Sequence, residues 1–156
     1  MTHFIGFIPT EEEEVDSFFQ LASVTPSDVV YDLGSGDGRL LFVAIEKGAG
    51  RAVGVELDPK PLQKAMKSAK KKRLEDRVSF IQGDVMDVDL SSATVVVCYL
   101  SSEASAALKP KLEAELKYGT RVVMEWFGVP GWQPVKTLRT NTKEFYLYIM
   151  PPIRAY

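Results

Sequence analysis

Cysteine and histidine are almost missing from this chain: Cys98 and His3 are the only examples in 156 residues. One cysteine excludes an intrachain disulfide and suits a reducing compartment, so a cytoplasmic location is expected. One histidine leaves little material for a His-rich metal centre or a Ser-His-Asp triad, and no metal is expected. An excess of one charge is lacking too. The formal net charge is −2, so no global field exists to hold a polyanion, and nucleic acid stays open as a partner without being required. No apolar run approaches the ~20 residues of a membrane span. Met1-Thr2-His3-Phe4 lacks the basic start and long apolar stretch of a signal peptide, so no membrane association is expected. The length allows a real core in one domain and is short for two, so residues 1–156 are read as a single domain.

What is present is an alternation. An extended lead, Phe4 to Pro9, precedes a helix opened by Glu11 to Glu14, whose charge favours a helix N-terminus. Val15, Phe18, Phe19 and Ala22 then follow the spacing of a buried helical stripe. Strands are predicted at Val29 to Tyr31, Ala52 to Glu56, Val78 to Gln82, Ala93 to Tyr99 and Thr120 to Phe127. Between them come helices marked by Leu41, Ala44 and Ile45, by Leu62, Ala65, Met66 and Ala69, and by Leu108, Leu112 and Leu116. Such alternation implies right-handed crossovers and a parallel sheet covered on both faces. Val135 to Arg139 and Glu144 to Met150 lie too close for a crossover and are predicted to form a hairpin. Phe145-Tyr146-Leu147-Tyr148-Ile149 is apolar or aromatic on both faces, which suits a strand inside the sheet.

The densest signal is Val29-Val30-Tyr31-Asp32-Leu33-Gly34-Ser35-Gly36-Asp37-Gly38. A strand, a glycine-rich turn and a helix N-terminus make a cradle for a nucleotide-like ligand. The glycines run G-x-G-x-G, and Arg39 stands where a dinucleotide fingerprint needs its third glycine. A pyrophosphate wants bare amides. A sulfonium with a free amino group is cationic, so the carboxylate of Asp32 at the turn points to S-adenosylmethionine rather than NAD. Glu56 closes the second predicted strand, where an acid can accept both ribose hydroxyls. Gly83-Asp84-Val85 follows the third, where a carboxylate can accept from the adenine amino group. Ligands of open α/β sheets bind beyond the carboxyl ends of the strands. Acids at three successive strand ends, with that loop on the first, are far more specific than the loop alone.

On these residues the chain resembles a known family. Val-Tyr-Asp-Leu-Gly-Ser-Gly-Asp-Gly-Arg (30–39) and Ala-Val-Gly-Val-Glu-Leu (52–57) look like seven-β-strand S-adenosylmethionine-dependent methyltransferases. Phe7-Ile8-Pro9-Thr10, Leu108-Lys109-Pro110-Lys111-Leu112-Glu113 and Gly119-Thr120-Arg121-Val122-Val123 are narrower. They look like the small archaeal protein-lysine methyltransferases of the non-SET kind, themselves similar to the non-SET histone-lysine enzyme and to mitochondrial enzymes acting on an ATP-synthase c-subunit lysine. Gly131-Trp132 fits the same pattern, and the similarity runs from Phe4 to the final strand. It implies an α/β, Rossmann-like class I fold: a mostly parallel seven-stranded sheet with a C-terminal antiparallel hairpin. It implies cofactor contacts from Thr10, Asp32, Gly34, Ser35, Gly36 and Gly38, and from Glu56, Leu57, Asp84 and Val85. Residues 1–27, the lead and first helix, are expected to form a lid.

The acceptor is decided after the fourth strand in this fold, and Cys98-Tyr99-Leu100-Ser101 has no fixed family equivalent. The Asp/Asn-Pro-Pro-aromatic pattern of enzymes that methylate planar amino groups is absent. Cys98 lacks a preceding proline and a nearby cation to activate it, so it reads as a small buried residue rather than a thiolate nucleophile. Lysine methylation asks for less: a neutral amine, in line with the sulfonium and shielded from water. Near neutral pH about one lysine in 10³ is uncharged. An aromatic channel lowers that pKa by desolvation while a cation–π contact holds the product. Tyr99, Trp126 and Phe127 are the residues expected to build it, with Phe7 from the lead, and positioning supplies most of the rate without an obligatory base. Lys60, Lys64, Lys67, Lys70, Lys71, Lys72 and Arg73 make the third helix basic, chiefly as a solvated face. The expected partners are therefore proteins with exposed lysines, modified with broad specificity. An RNA or small-molecule acceptor, or a non-catalytic cofactor-binding role, are the alternatives.

Overall fold

The computed structural model describes residues 12–155. Its sheet has seven strands in the order β3-β2-β1-β4-β5-β8-β7. Here β1 is Val29–Leu33, β2 Arg51–Glu56, β3 Val78–Gln82, β4 Val95–Cys98, β5 Arg121–Glu125, β7 Lys136–Arg139 and β8 Glu144–Ile149. The pairs β3-β2, β2-β1, β1-β4 and β4-β5 are parallel, and β5-β8 and β8-β7 are antiparallel. The α/β class, the parallel body and the closing hairpin are as expected, and the doubly apolar β8 lies between β5 and β7. A second, two-stranded sheet of β6 (Trp132–Gln133) and β9 (Ile153–Arg154) was not foreseen; two residues per strand carry no periodicity to read.

The helices are α1 Glu12–Leu21, α2 Arg39–Glu46, α3 Pro59–Lys71 and α4 Ser102–Glu115, with a 3₁₀ turn at Val85–Asp87. Asp58 caps α3, its carboxylate accepting from the Lys60 amide at 3.0 Å, and Pro59 supplies the first-turn φ. Ser101 caps α4 in the same way. Alternating side chains split between the two sheet faces. Val30, Val95, Val97, Val123, Phe145 and Leu147 face α1 and α2. Tyr31, Leu33, Val53, Val55, Val96, Cys98, Val122 and Met124 face the other way, with Leu108 and Leu112 of α4. Val15, Phe18 and Phe19 of α1, and Ala22 just after it, are all buried as the spacing implied. Phe18 meets Phe145 edge-on with ring centroids 5.1 Å apart, and each such buried ring contributes about 1.5–3 kcal/mol.

Two expectations change. Met66 was placed inward and is 53% exposed. Leu62, Ala65 and Ala69 already fill the narrow contact stripe of α3, and Met66 stands at its border. Glu14 was read as charge at a helix N-terminus. It is buried instead, and Oε1 accepts from the Thr140 and Thr142 hydroxyls at 2.9 and 2.8 Å, so α1 grips the tip of the β7–β8 hairpin. The basic residues of α3 are exposed, as a solvated face should be. Among the described residues no helix is long and apolar enough to cross a membrane.

Candidate functional site

Strand order reverses between β1 and β4, which opens a crevice at the carboxyl ends of the parallel strands. The turn after β1 crosses this crevice. Gly34, Gly36 and Gly38 adopt φ of 88°, 55° and 84°, a left-handed region that glycine enters without a Cβ penalty. The turn is bound tightly to the end of β2. The Gly34 and Ser35 amides donate to the Val55 carbonyl at 2.8 and 3.0 Å, and the Gly36 amide donates to Glu56 Oε1 at 2.8 Å. The Gly38 amide donates to the Ser35 carbonyl at 3.0 Å. A phosphate would need those amides, and all four already have acceptors. The turn is built for another ligand chemistry.

Gly54 makes this arrangement fit. A Cβ there would stand 2.5 Å from Ser35 Oγ and 2.7 Å from Leu41 Cδ1. The turn therefore lies on bare backbone of β2, and Asp32 of β1 is level with Gly54 and with Val97 of β4. Gly34, by contrast, has nothing within 4 Å of the Cβ it lacks, so the outer side of the turn is open.

Asp32 dominates the electrostatics. It is 2% exposed, and among the described residues its Oδ2 has no hydrogen-bond partner; neither has the buried Ser35 Oγ. Burial pushes the Asp32 carboxyl well above the usual carboxylate range, and the charges of Glu56, Glu125 and Asp37 push it further. A cation in the crevice would reverse that shift by stabilising the ionised form. The open oxygen, the surrounding carboxylates and the committed amides fit the sulfonium and amino group of S-adenosylmethionine, and they disfavour a dinucleotide.

Glu56, 5% exposed, accepts from the amides of Gly36 and Asp58 through separate oxygens, at 2.8 and 2.9 Å. Each oxygen keeps a lone pair for a hydroxyl donor. Leu57 follows with 62% exposure, an apolar side chain left uncovered beside the crevice. Asp84 Oδ1 accepts from the Met86 amide at 2.9 Å and starts the 3₁₀ turn, while Val85 is buried in the core beneath. Thr10, Phe7 and the rest of residues 1–11 of the lid expected at 1–27 lie outside the described residues, whereas its helix, α1, packs on the sheet face through Val15, Phe18 and Phe19.

The aromatic residues gather at the ends of β4 and β5. Tyr99 follows β4 and is half-buried. Trp126 follows β5, is 45% exposed and holds φ at 71°, unusual for a bulky residue. Its amide donates to the Glu144 carbonyl at 2.6 Å, and its ring meets Phe127 edge-on at 6.4 Å. Trp126 also lines a cleft of about 300 Å³ with Arg139, Thr140, Thr142, Lys143 and Glu144. Cys98 is fully buried with its thiol against Met124 sulfur at 3.0 Å, and burial raises its pKa, so a nucleophilic role is closed to it. Two polar residues here escaped the sequence reading. Glu125 closes β5 with a wholly buried side chain, and Lys143 Nζ sits 2.6 Å from its Oε2. An acid at a strand end was the signal that found Glu56, and it was available for Glu125. Lys143 gave none, because its place depends on how the hairpin folds back.

Comparison with known proteins gives a consistent picture. Residues 32–136 match the family model described as the ANTKMT methyltransferase domain. A protein-lysine N-methyltransferase of Saccharolobus islandicus is 37% identical over 94% of each chain. The adenine nucleotide translocase lysine N-methyltransferase of Mus musculus is 31% identical over 92% of this chain and 62% of its own length. Among solved structures, an RNA methyltransferase of Salinibacter ruber, crystallised with S-adenosyl-L-homocysteine, superposes with a TM-score of 0.89. It is 40% identical and covers 92% of this chain and 94% of its own.

Proposed function

This chain belongs to the ANTKMT methyltransferase family, and on that footing we propose that it transfers a methyl group from S-adenosylmethionine to lysine ε-amines of proteins. Bound in the crevice, the cofactor supplies an electrophilic methyl group on a sulfonium. The observation that carries the reading is Asp32: a buried carboxylate with an open oxygen, held above its normal pKa among other acids, at a turn whose amides are spent. In this reading Asp32 receives the cofactor's amino group, with the Ser35 hydroxyl beside it. Glu56 takes the ribose hydroxyls with its remaining lone pairs, and Asp84 takes the adenine amino group between Leu57 and Val85. Gly34, Gly36 and Gly38 keep the turn low enough to leave the crevice open, and Thr10 would approach from the lead.

Support for lysine as acceptor comes from the printed functions of the Saccharolobus and mouse relatives and from the aromatic residues at the ends of β4 and β5. Tyr99, Trp126 and Phe127 would strip water from an incoming amine, lowering its pKa toward the neutral, nucleophilic form. In this reading the loops around the crevice form its rim, and residues 1–156 act as one unit with broad specificity for exposed lysines. The single thiol, Cys98, is buried, which suits a cytoplasmic setting. The Salinibacter neighbour's name favours a second reading, RNA as the acceptor.

The deciding experiment is incubation with tritiated S-adenosylmethionine and cell extract, followed by protease or nuclease and mass spectrometry. Label on protein lysines is the expected result. Label removed by nuclease would transfer the reading to RNA, and binding without turnover would leave a cofactor-binding protein.

A further inference from the structure

Lys143 has no part in that assignment, yet it lies against residues at the ends of both β4 and β5. Its Nζ lies 2.6 Å from Glu125 Oε2 and 5.3 Å from the centroid of the Tyr99 ring. The Glu125 side chain has no solvent exposure and that of Lys143 has 14%. A desolvated carboxylate beside an aromatic face is a site for an alkylammonium ion. The carboxylate supplies charge and a hydrogen bond, the ring supplies a cation–π contact, and a neutral or anionic group would gain neither.

The location matters as much as the chemistry. Tyr99 and Glu125 come from the ends of adjacent strands β4 and β5, and β4 is the neighbour of β1. Asp32, Val97 and Val123 are level across β1, β4 and β5, so Glu125 stands two residues beyond that line at the same end of the sheet, and its charge reaches Asp32. The cleft lined by Trp126, Thr140 and Thr142 includes Lys143 in its wall, so an incoming side chain there meets Lys143 first, with Glu125 buried behind it. Thr140 and Thr142 are anchored to Glu14 of α1.

We propose that Glu125 and Tyr99 form the docking subsite that captures the acceptor lysine as its ammonium, ahead of the proton loss that transfer requires, and that Lys143 occupies it until a substrate lysine takes its place. Exchange of one ammonium for another keeps Glu125 paired throughout, avoiding the cost of stranding a buried charge. It also keeps water from the methyl-donor pocket between turnovers. The proposal rests on lysine being the acceptor.

The test is steady-state methylation of a synthetic basic peptide bearing one lysine, at saturating S-adenosylmethionine, with S-adenosylhomocysteine calorimetry and thermal melting run alongside. Lys143→Met removes the occupant, and the peptide KM is expected to fall at least threefold. Lys143→Arg keeps the ion pair and the fold, but a guanidinium forked onto Glu125 is harder to displace, so KM is expected to rise at least threefold. Glu125→Gln should raise KM at least tenfold while S-adenosylhomocysteine affinity changes less than threefold. A purely structural ion pair would shift melting temperature and leave the KM of Lys143→Arg at the wild-type value, which would overturn the proposal. Lysine methylation by wild type with unmoved KM in the variants defeats the subsite alone. No transfer to lysine by wild type, with label on RNA, defeats the subsite and the lysine reading together.

Discussion

Asp28 and Asp32 stand at opposite ends of β1, and the chain treats them in opposite ways. Asp28 is buried but fully engaged. Its Oδ1 accepts from the Thr94 hydroxyl at 2.7 Å and from the Arg121 guanidinium, and its Oδ2 accepts from the Thr25 amide at 2.8 Å. Burial raises its pKa, but the bonds from Thr94, Thr25 and Arg121 outweigh that and hold it below the ordinary value. Asp32 is buried with one oxygen open, beside other acids, and its pKa is raised. The amino-end carboxylate knits β1, β4 and β5 together. The carboxyl-end one is left with an open oxygen among like charges, a strain that a cationic ligand would relieve. Stability and binding are thus separated along one strand.

The largest expected effect is at Asp32. Asp32→Asn should cost about thirtyfold or more in S-adenosylmethionine affinity by calorimetry, since about 2–5 kcal/mol is lost when a buried charged partner is removed. The ligand-free variant should also melt at a higher temperature than wild type. The folded-state pKa of Asp32 is raised, so the folded protein binds that proton more tightly than the unfolded chain. Its contribution to stability is therefore fully present below about pH 3.9 and is lost as pH climbs through the folded value. Asparagine removes the loss. Cofactor affinity has the reverse dependence, falling as acid protonates Asp32. A variant that bound normally, or melted lower, would abolish the contrast between the two ends.

Asp28→Ala should do the opposite: lose about 2–4 kcal/mol in urea denaturation, because Arg121 and Thr94 lose a shared partner, with cofactor affinity kept. Weakened cofactor binding there would show that the ends are coupled. Glu56→Ala falls third. It should weaken cofactor binding by about 1.5–3 kcal/mol through charged hydrogen bonds, some of it by releasing the Gly36 amide; unchanged affinity would remove Glu56 from the site. Gly54→Ala is the smallest, about 1–2 kcal/mol of stability from overpacking against Ser35 and Leu41. An unchanged urea midpoint would show that the turn has slack.

The strand ends were legible in the sequence because they combine two kinds of information. The apolar runs of β1 and β2 announce strands, and the acids that close them announce chemistry. The parallel body and hairpin follow from the lengths of the connections. Gly54 was hidden, since a glycine inside an apolar run carries no mark of what lies above it. Glu14 read as solvent charge because its partners, Thr140 and Thr142, belong to a turn far along the chain. Lys143 and Glu125 could not be paired before β8 was known to lie beside β5. Residues whose meaning depends on non-local pairing are the ones periodicity does not reach.

The insertion of β8 between β5 and β7 has a consequence for the order of assembly. Translation delivers β1 to β5 first, with parallel pairings that need no later residue. Until Glu144–Ile149 emerges, the outer edge of β5 has no neighbour, Phe18 of α1 lacks the Phe145 ring, and the tip that carries Lys143 has nothing to close on. Contacts between α1 and β8 span nearly the whole described chain, and such distant pairings are the slow ones to form. A nascent chain can hold the glycine turn and its acids while the acceptor side is still unmade, so competence for transfer should arrive late and all at once.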